Sequence, residues 1–320
     1  MAAALGIDTS NYTTSAAVYD PASGTAASFR RLLPVKAGAH GLRQSDAVFH
    51  HVQQLPDMLA QAFAATRDFA CIGVSDRPRA VQGSYMPCFT AGVSAAKSLA
   101  ALLGVPLYFS SHQAGHIAAA LYSCGRLDLL ERPFLAFHVS GGTTEALLVE
   151  PHPDEILTAR AVARSLDLKA GQAVDRVGAM LGLSFPAGRE LDALAVRSTA
   201  RFQPKPVFKG KDPCLSGLEN QCERMLSGGA SACDVAAYVI QYLEAVLSRM
   251  TELLLAEYGP LPLLYAGGVM SNSQISKSLE EKFGGLFAQP EFSADNAAGA
   301  AVLAALRHDR TGKAGGTFGG

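Results

Sequence analysis

The sequence predicts an α/β protein of two domains, and three observations carry that reading. The chain has 320 residues, about two domains at roughly 100–200 residues each. Short apolar runs alternate with helix-length amphipathic segments, the pattern of strands and helices packed in layers. Apolar residues make up 49%, charged residues only 17%, and 31 residues are glycine. That composition describes tightly packed elements joined by glycine turns and excludes a disordered chain, which is charge-rich and apolar-poor. A net charge of −1 excludes the strongly basic signature of nucleic-acid binders, so any RNA partner must use a local patch.

Taken in order, residues 4–7 and 15–19 read as strands around a polar turn at 8–14. A helix is expected over 45–65 and a strand over 70–74. The helix at 90–103 ends at a Gly-Val-Pro stop and precedes a short strand through Phe109. Another helix covers 111–123, and strands at 133–139 and 145–150 flank the turn 140–144. The helix at 169–183 is closed by Phe-Pro-Ala-Gly at 185–188. Residues 200–216, rich in Pro, Lys and Gly, read as a loop, and its basic part, 201–211, is either a solvated loop or a contact for a phosphate backbone. A long helix spans 233–257, a strand 261–266 and a helix 272–283. The last helix covers 294–307, with a frayed tail from His308. The strand–turn–strand pattern around Thr13 returns around Thr143, which reads as two related halves or as chance likeness between hairpins.

The start, MAAALGIDTS, lacks a basic n-region and runs into a strand. The most apolar stretch, 91–107, contains Lys97, Gly104 and Pro106 and falls short of about 18 uninterrupted apolar residues. No membrane association is expected. The cysteines at 71, 88, 124, 214, 222 and 233 form no C-x-x-C pair, so reduced thiols in a cytoplasmic protein are expected.

Several short motifs could carry chemistry. In Val139-Ser140-Gly141-Gly142 adjacent glycines allow successive N–H groups to converge on an anion, although an ordinary glycine hairpin has the same pattern. Gly267 and Gly268 lie between a strand and a helix whose N-terminus offers free N–H groups for a nucleotide; alternatively Asn272 is simply the N-cap. His112 and His116 share one helix face and could reach one divalent ion with a distant carboxylate. Asp295 could be that carboxylate or a helix cap. Asp175 could accept from a ribose hydroxyl or lie exposed on its helix. His50 and His51 read as structural, and no nucleophile signature such as G-x-S-x-G is present.

The order of these motifs is more specific than any one of them. GIDTS at 6–10, H-x-x-x-H at 112–116, VSGG at 139–142, AGQAVDRVGAMLGLSFPAG at 170–188, LSGL at 215–218, AGGVMSN at 266–272 and SADNAAGAA at 293–301 resemble the threonylcarbamoyl-transfer subunit of the tRNA t6A synthase, the TsaD/Gcp family. The resemblance implies the actin/hexokinase/heat-shock ATPase fold, with two ribonuclease-H-like lobes around a nucleotide and metal cleft. On this basis the first lobe covers 1–110 and the second, with a helical insertion, 111–291. A C-terminal helix over 292–308 would return to the first lobe, with a flexible tail at 309–320. His112, His116 and Asp295 resemble the metal ligands, for Fe or Zn, with Mg accompanying the nucleotide as an alternative. Val139 to Gly142 would contact the substrate phosphate, Asp175 and Gly188 the ribose region with Asp192 as a further contact, and Asn272, beside Gly267 and Gly268, the adenine. No catalytic residue is implied beyond the metal site.

The implied reaction moves threonylcarbamoyl from its adenylate to N6 of adenosine 37 of tRNA, with ATP or threonylcarbamoyl-AMP as the nucleotide. Partner subunits would bring the tRNA, and a family-related subunit would complete a hetero- or homodimer. The sequence departs from the family pattern at Tyr12 and Thr13, where an acidic pair is usual. It departs again at Thr143, at Ala187 and Arg189 in the FPAGR turn, and at Glu219. These changes keep two other readings open: an ATP-dependent small-molecule carbamoyl- or phosphoryl-transferase, and a non-catalytic nucleotide-binding partner of a true family member.

Overall fold

The computed structural model describes residues 2–10, 12–34, 42–292 and 297–315. Contacts divide the chain into one unit of 1–132, 150–159 and 291–320 and another of 133–149 and 160–290. The boundary expected at 110/111 falls inside a strand of the first unit.

In the first unit a strand β1 (Ala3–Asp8), buried along its whole length, pairs antiparallel with β2 (Thr13–Asp20). Strand β3 (Thr25–Leu32) adds to β2 as a largely exposed edge. Helix α1 (Gln44–Ala65) packs His51, Leu55, Met58 and Ala62 inward. It leads to β4 (Phe69–Arg77), helix α2 (Phe89–Leu103), β5 (Leu107–Ser111) and helix α3 (His112–Ser123). Strands β1, β4 and β5 run parallel, and the sheet order is β3-β2-β1-β4-β5. Gly104 ends α2 in the left-handed conformation at φ 67°, as the Gly-Val-Pro stop predicts.

The second unit repeats the plan. Strand β6 (Phe134–Val139) pairs antiparallel with β7 (Thr144–His152), followed by β8 (Ile156–Arg164). Helices α4 (Ala170–Met180) and α5 (Gly188–Ala195) come next, then a small hairpin of β9 (Val207–Lys209) and β10 (Asp212–Cys214). Helices α6 (Gly217–Ser227) and α7 (Ala232–Tyr258) precede β11 (Leu263–Ala266), α8 (Ser273–Phe283) and β12 (Leu286–Phe287). Strand β11 lies parallel to both β6 and β12, and the sheet reads β8-β7-β6-β11-β12. Each sheet is thus a hairpin-linked trio followed by two parallel strands, which is the relation between halves that the echoed hairpins suggested. Phe137, Tyr265 and Phe287 stack across three strands at 4.7 and 5.0 Å between centroids. Each such pair adds about 0.5–1.5 kcal/mol beyond burial.

Helix α9 (Ala297–Gly315) belongs to the first unit. It continues beyond His308, where the sequence reading began a frayed tail. Arg310 donates to Glu131 and to the His152 carbonyl, and Tyr108 bonds Thr311 at 3.2 Å, so this stretch has partners that sequence periodicity does not reveal. The loop expected over 200–216 contains the β9–β10 hairpin, turned by Gly210 at φ 64°. Within that basic stretch Lys211 is engaged by Glu257 at 2.7 Å. The six cysteines are free thiols, and among the described residues no helix is long and apolar enough to cross a membrane.

Candidate functional site

Two arrangements of candidate residues emerge, one in each unit. In the first, the parallel strands β1, β4 and β5 end together, the edge at which open α/β sheets bind ligands. Asp8 closes β1. Ser111 caps α3, its hydroxyl accepting from the Ala114 N–H at 3.2 Å, so His112 stands on the first turn and His116 one turn later. The two imidazoles lie 4.6 Å apart between centroids, close enough to share one ion at metal–nitrogen distances of about 2 Å. His112 Nδ1 donates to Asp8 Oδ2 at 3.0 Å, and the Ser10 N–H donates to Oδ1 at 2.8 Å. Burial alone would raise the Asp8 pKa. The neighbouring His112 and these hydrogen bonds outweigh it and hold the carboxyl well below the usual carboxylate range.

Asp295, the third expected ligand, lies outside the described residues. Helix α9 is nevertheless placed: a side chain on Gly299 would come within 1.8 Å of the Gly115 carbonyl oxygen. The described start of α9 therefore touches α3 between the two histidines. Among the described residues no three His, Cys, Asp or Glu side chains converge on one point. The pair His112–His116, with one ring already oriented by a buried carboxylate, fits a divalent ion that takes nitrogen ligands. His51 is fully buried, with Nδ1 on the Thr14 hydroxyl at 2.8 Å. Burial pushes its pKa down to about 4.

In the second unit Gly141, Asp175, Gly188, Asp192, Gly268 and Asn272 line one cavity of about 430 Å³. Its construction follows from the sequence. Ser140 turns the chain at the end of β6, its N–H donating to the Thr143 carbonyl and its hydroxyl accepting from the Thr143 N–H. The Thr144 hydroxyl accepts from the Ala170 N–H, and the Gly171 N–H donates to the Ser140 carbonyl. These bonds tie the start of α4 to the turn. Among the described residues the N–H groups of Gly141 and Gly142 donate to no partner in the chain, so they are available to an anion. Gly267, at φ 106°, sits where a side chain would lie 2.3 Å from the Val139 carbonyl oxygen. That contact brings Gly268 to the same rim. Val139 itself is buried, so it presents only backbone.

Asp175 Oδ1 accepts from the Ala187 N–H at 2.9 Å, which fixes the turn that starts α5 and aims Gly188 at the cavity. Asn272 is the N-cap that one of its two expected readings made it, and its side chain has a second partner besides. Its Oδ1 caps α8 by accepting from Gln274 and Ile275, and its Nδ2 donates to Asp192. Burial pushes the Asp192 carboxyl up, opposed by that bond.

Phe185, Arg189, Ile240, Leu243 and Ile275 also line the cavity, and motif reasoning passed over them. The FPAGR turn signalled the first two. Ile240 and Leu243 have the helical spacing of ordinary core residues, so nothing in the sequence marks them.

Comparison with known proteins bears on the fold and on the family. Among solved structures, HypF of T. kodakarensis superposes with a TM-score of 0.61 at 14% identity, covering 98% of this chain and 48% of that one. Component A of the (R)-2-hydroxyglutaryl-CoA dehydratase of Acidaminococcus fermentans gives 0.56 at 18% identity, covering 97% and 100%. The fold is therefore of the actin, hexokinase and heat-shock ATPase class, as expected. The family model for tRNA N6-adenosine threonylcarbamoyltransferase (TsaD) matches residues 38–302. A protein of that name from Sulfurihydrogenibium sp. is 32% identical over 281 residues, 85% of this chain and 80% of its own. Its counterpart in Halalkalibacterium halodurans is 32% identical over 298 residues, covering 87% and 82%. The chain belongs to the tRNA N6-adenosine threonylcarbamoyltransferase family, a family of transferase enzymes.

Proposed function

We propose that this chain transfers the threonylcarbamoyl group from threonylcarbamoyl-AMP to N6 of adenosine 37 of tRNA. The observation that carries the reading is a set of glycines with no internal reason to be glycine. Gly141, Gly188 and Gly268 line the cavity, none has a left-handed φ, and a side chain on any of them would meet no atom within 4 Å. What excludes a side chain there is a ligand. A volume of about 430 Å³ suits a mononucleotide, within the roughly 300–1,000 Å³ of small-molecule sites.

In this reading the free N–H groups of Gly141 and Gly142, with Ser140 and the backbone of Val139, take the phosphate. The second oxygen of Asp175, Gly188 and Asp192 meet the ribose. The base lies on the apolar floor near Asn272, between Gly268 and Phe185. His112, His116 and Asp295 would hold one divalent ion, iron or zinc; magnesium with the nucleotide is the alternative. When bound, such an ion would supply Lewis acidity. The chain's own groups orient the mixed anhydride and stabilise AMP as it leaves, by fixed N–H donors that need no reorganisation. The attacking amine belongs to the tRNA, so no protein nucleophile is required. The tRNA arrives with partner subunits, one of them family-related, in the cytoplasm.

One observation favours a second reading. Tyr12, exposed at 42%, and Thr13 stand where the family carries acids, which suits ATP-dependent transfer to a small acceptor. Expression in cells lacking their own transferase decides between them. The expected outcome is restored t6A in digested tRNA, and His112→Ala with His116→Ala abolishes it together with bound metal. Absence of t6A alongside nucleotide turnover by the purified protein would overturn the first reading for the second. Absence of both leaves the chain a nucleotide-binding partner without catalysis.

A further inference from the structure

We propose that Asp8 is a positioning residue for the metal site, holding the His112 ring so that Nε2 is the nitrogen offered for coordination. The inference rests on the reading of His112 and His116 as ligands and goes beyond it. An ionised carboxylate only accepts hydrogen bonds. The 3.0 Å contact between His112 Nδ1 and Asp8 Oδ2 therefore places a proton on Nδ1 in either protonation state of the ring. The lone pair of the neutral ring is left on Nε2.

Asp8 is well placed for this work. It is 1% exposed, at the end of a strand held by pairing on both sides, with β2 and with β4. Its other oxygen is taken by the Ser10 N–H, so the carboxyl plane cannot turn. Phe89 meets the His112 ring edge-on at 6.0 Å and restricts it from another side. Carboxylates in this position orient ligating imidazoles and raise their basicity, and their removal typically costs 10–100-fold in metal affinity. A carboxylate that merely terminates a buried strand would leave metal affinity unchanged.

The test uses the full-length purified chain, with Zn2+ competed against a chelating dye and the imidazole tautomers read by long-range 1H–15N NMR. The His112 signals are identified by their loss in His112→Gln. The expected result is an Nδ1–H tautomer for His112 in the wild type. Zn2+ binding should be 10–100-fold weaker in Asp8→Ala, with an intermediate loss in Asp8→Asn, which keeps the shape and a weaker acceptor. Where Asp8→Ala does not fold by circular dichroism, Asp8→Asn and the wild-type tautomer carry the test. Wild-type affinity in the folded Asp8 variants, with affinity lost in His112→Gln, overturns the proposal and leaves the metal reading standing. An Nε2–H tautomer in the metal-free wild type overturns it as well. Zn2+ affinity unchanged in both His112→Gln and His116→Ala overturns the metal reading, and the role of Asp8 falls with it.

Discussion

Two sets of glycines, one from each unit, do opposite things. In the first unit Gly6, Gly73 and Gly299 are crowded: a side chain would come within 1.9, 2.2 and 1.8 Å of the carbonyl oxygens of Ala297, Ala300 and Gly115. They let α9 lie with its backbone directly on the sheet and on α3. In the second unit Gly141, Gly188 and Gly268 face open space beside the cavity. The first set is explained by the fold; for the second, no neighbouring atom within 4 Å requires glycine. A short glycine motif therefore says little until it is known which side of the residue is full.

The largest expected effect tests the crowded set. Gly299→Ala forces α9 off α3 against backbone that cannot yield, and overpacking of this kind costs about 1–3 kcal/mol or more. The melting temperature should fall by several degrees, and an unchanged value would show that the helix can shift without strain. The open set should behave in reverse. Gly188→Val is expected to leave the melting temperature within about a degree while weakening AMP binding about tenfold, or 1.4 kcal/mol, by calorimetry. Equal affinity would separate the cavity from the nucleotide.

Asn272→Ala removes the cap of α8 and the partner of Asp192, for a loss of about 1 kcal/mol in urea unfolding. The smallest effect in neutral buffer concerns His51. Burial holds its folded pKa at about 4, below the ordinary 6.5, so the unfolded chain takes up the proton first. Its contribution is complete above pH 6.5 and is lost as pH falls toward 4. His51→Gln should flatten that part of the stability–pH curve, and an identical slope would mean other groups produce it.

Much of this was legible from the residues. Strands β1 and β6 are continuous apolar runs, α7 is a long amphipathic pattern, and both candidate nucleotide turns, 139–142 and 267–268, announce themselves by Gly-Gly. Strand β3 was not legible, because an exposed edge carrying Arg30 and Arg31 has no buried face to impose alternation. Helix α5 has only eight residues, too few to show a period. Of the candidate site, the histidine pair and the cavity's polar rim could be read by spacing. The floor from Ile240 and Leu243 could not, because burial against a ligand and burial against protein select the same side chains. The hydrogen bond from His112 to Asp8 joins residues 104 positions apart, so no local pattern announces it.

The packing of α9 also bears on how the chain is made. Residues 297, 298 and 300–304 are all buried, and they cover a sheet begun by residue 3. On the ribosome, the sheet begun at residue 3 must wait for a helix that starts only at residue 297. The second unit, contiguous but for the excursion at 150–159, can complete its core earlier, since its contacts close over shorter loops. A stop codon a few residues before 297 would thus leave the N-terminal sheet uncovered while sparing the cavity, an outcome that the order of the genetic text alone would not suggest.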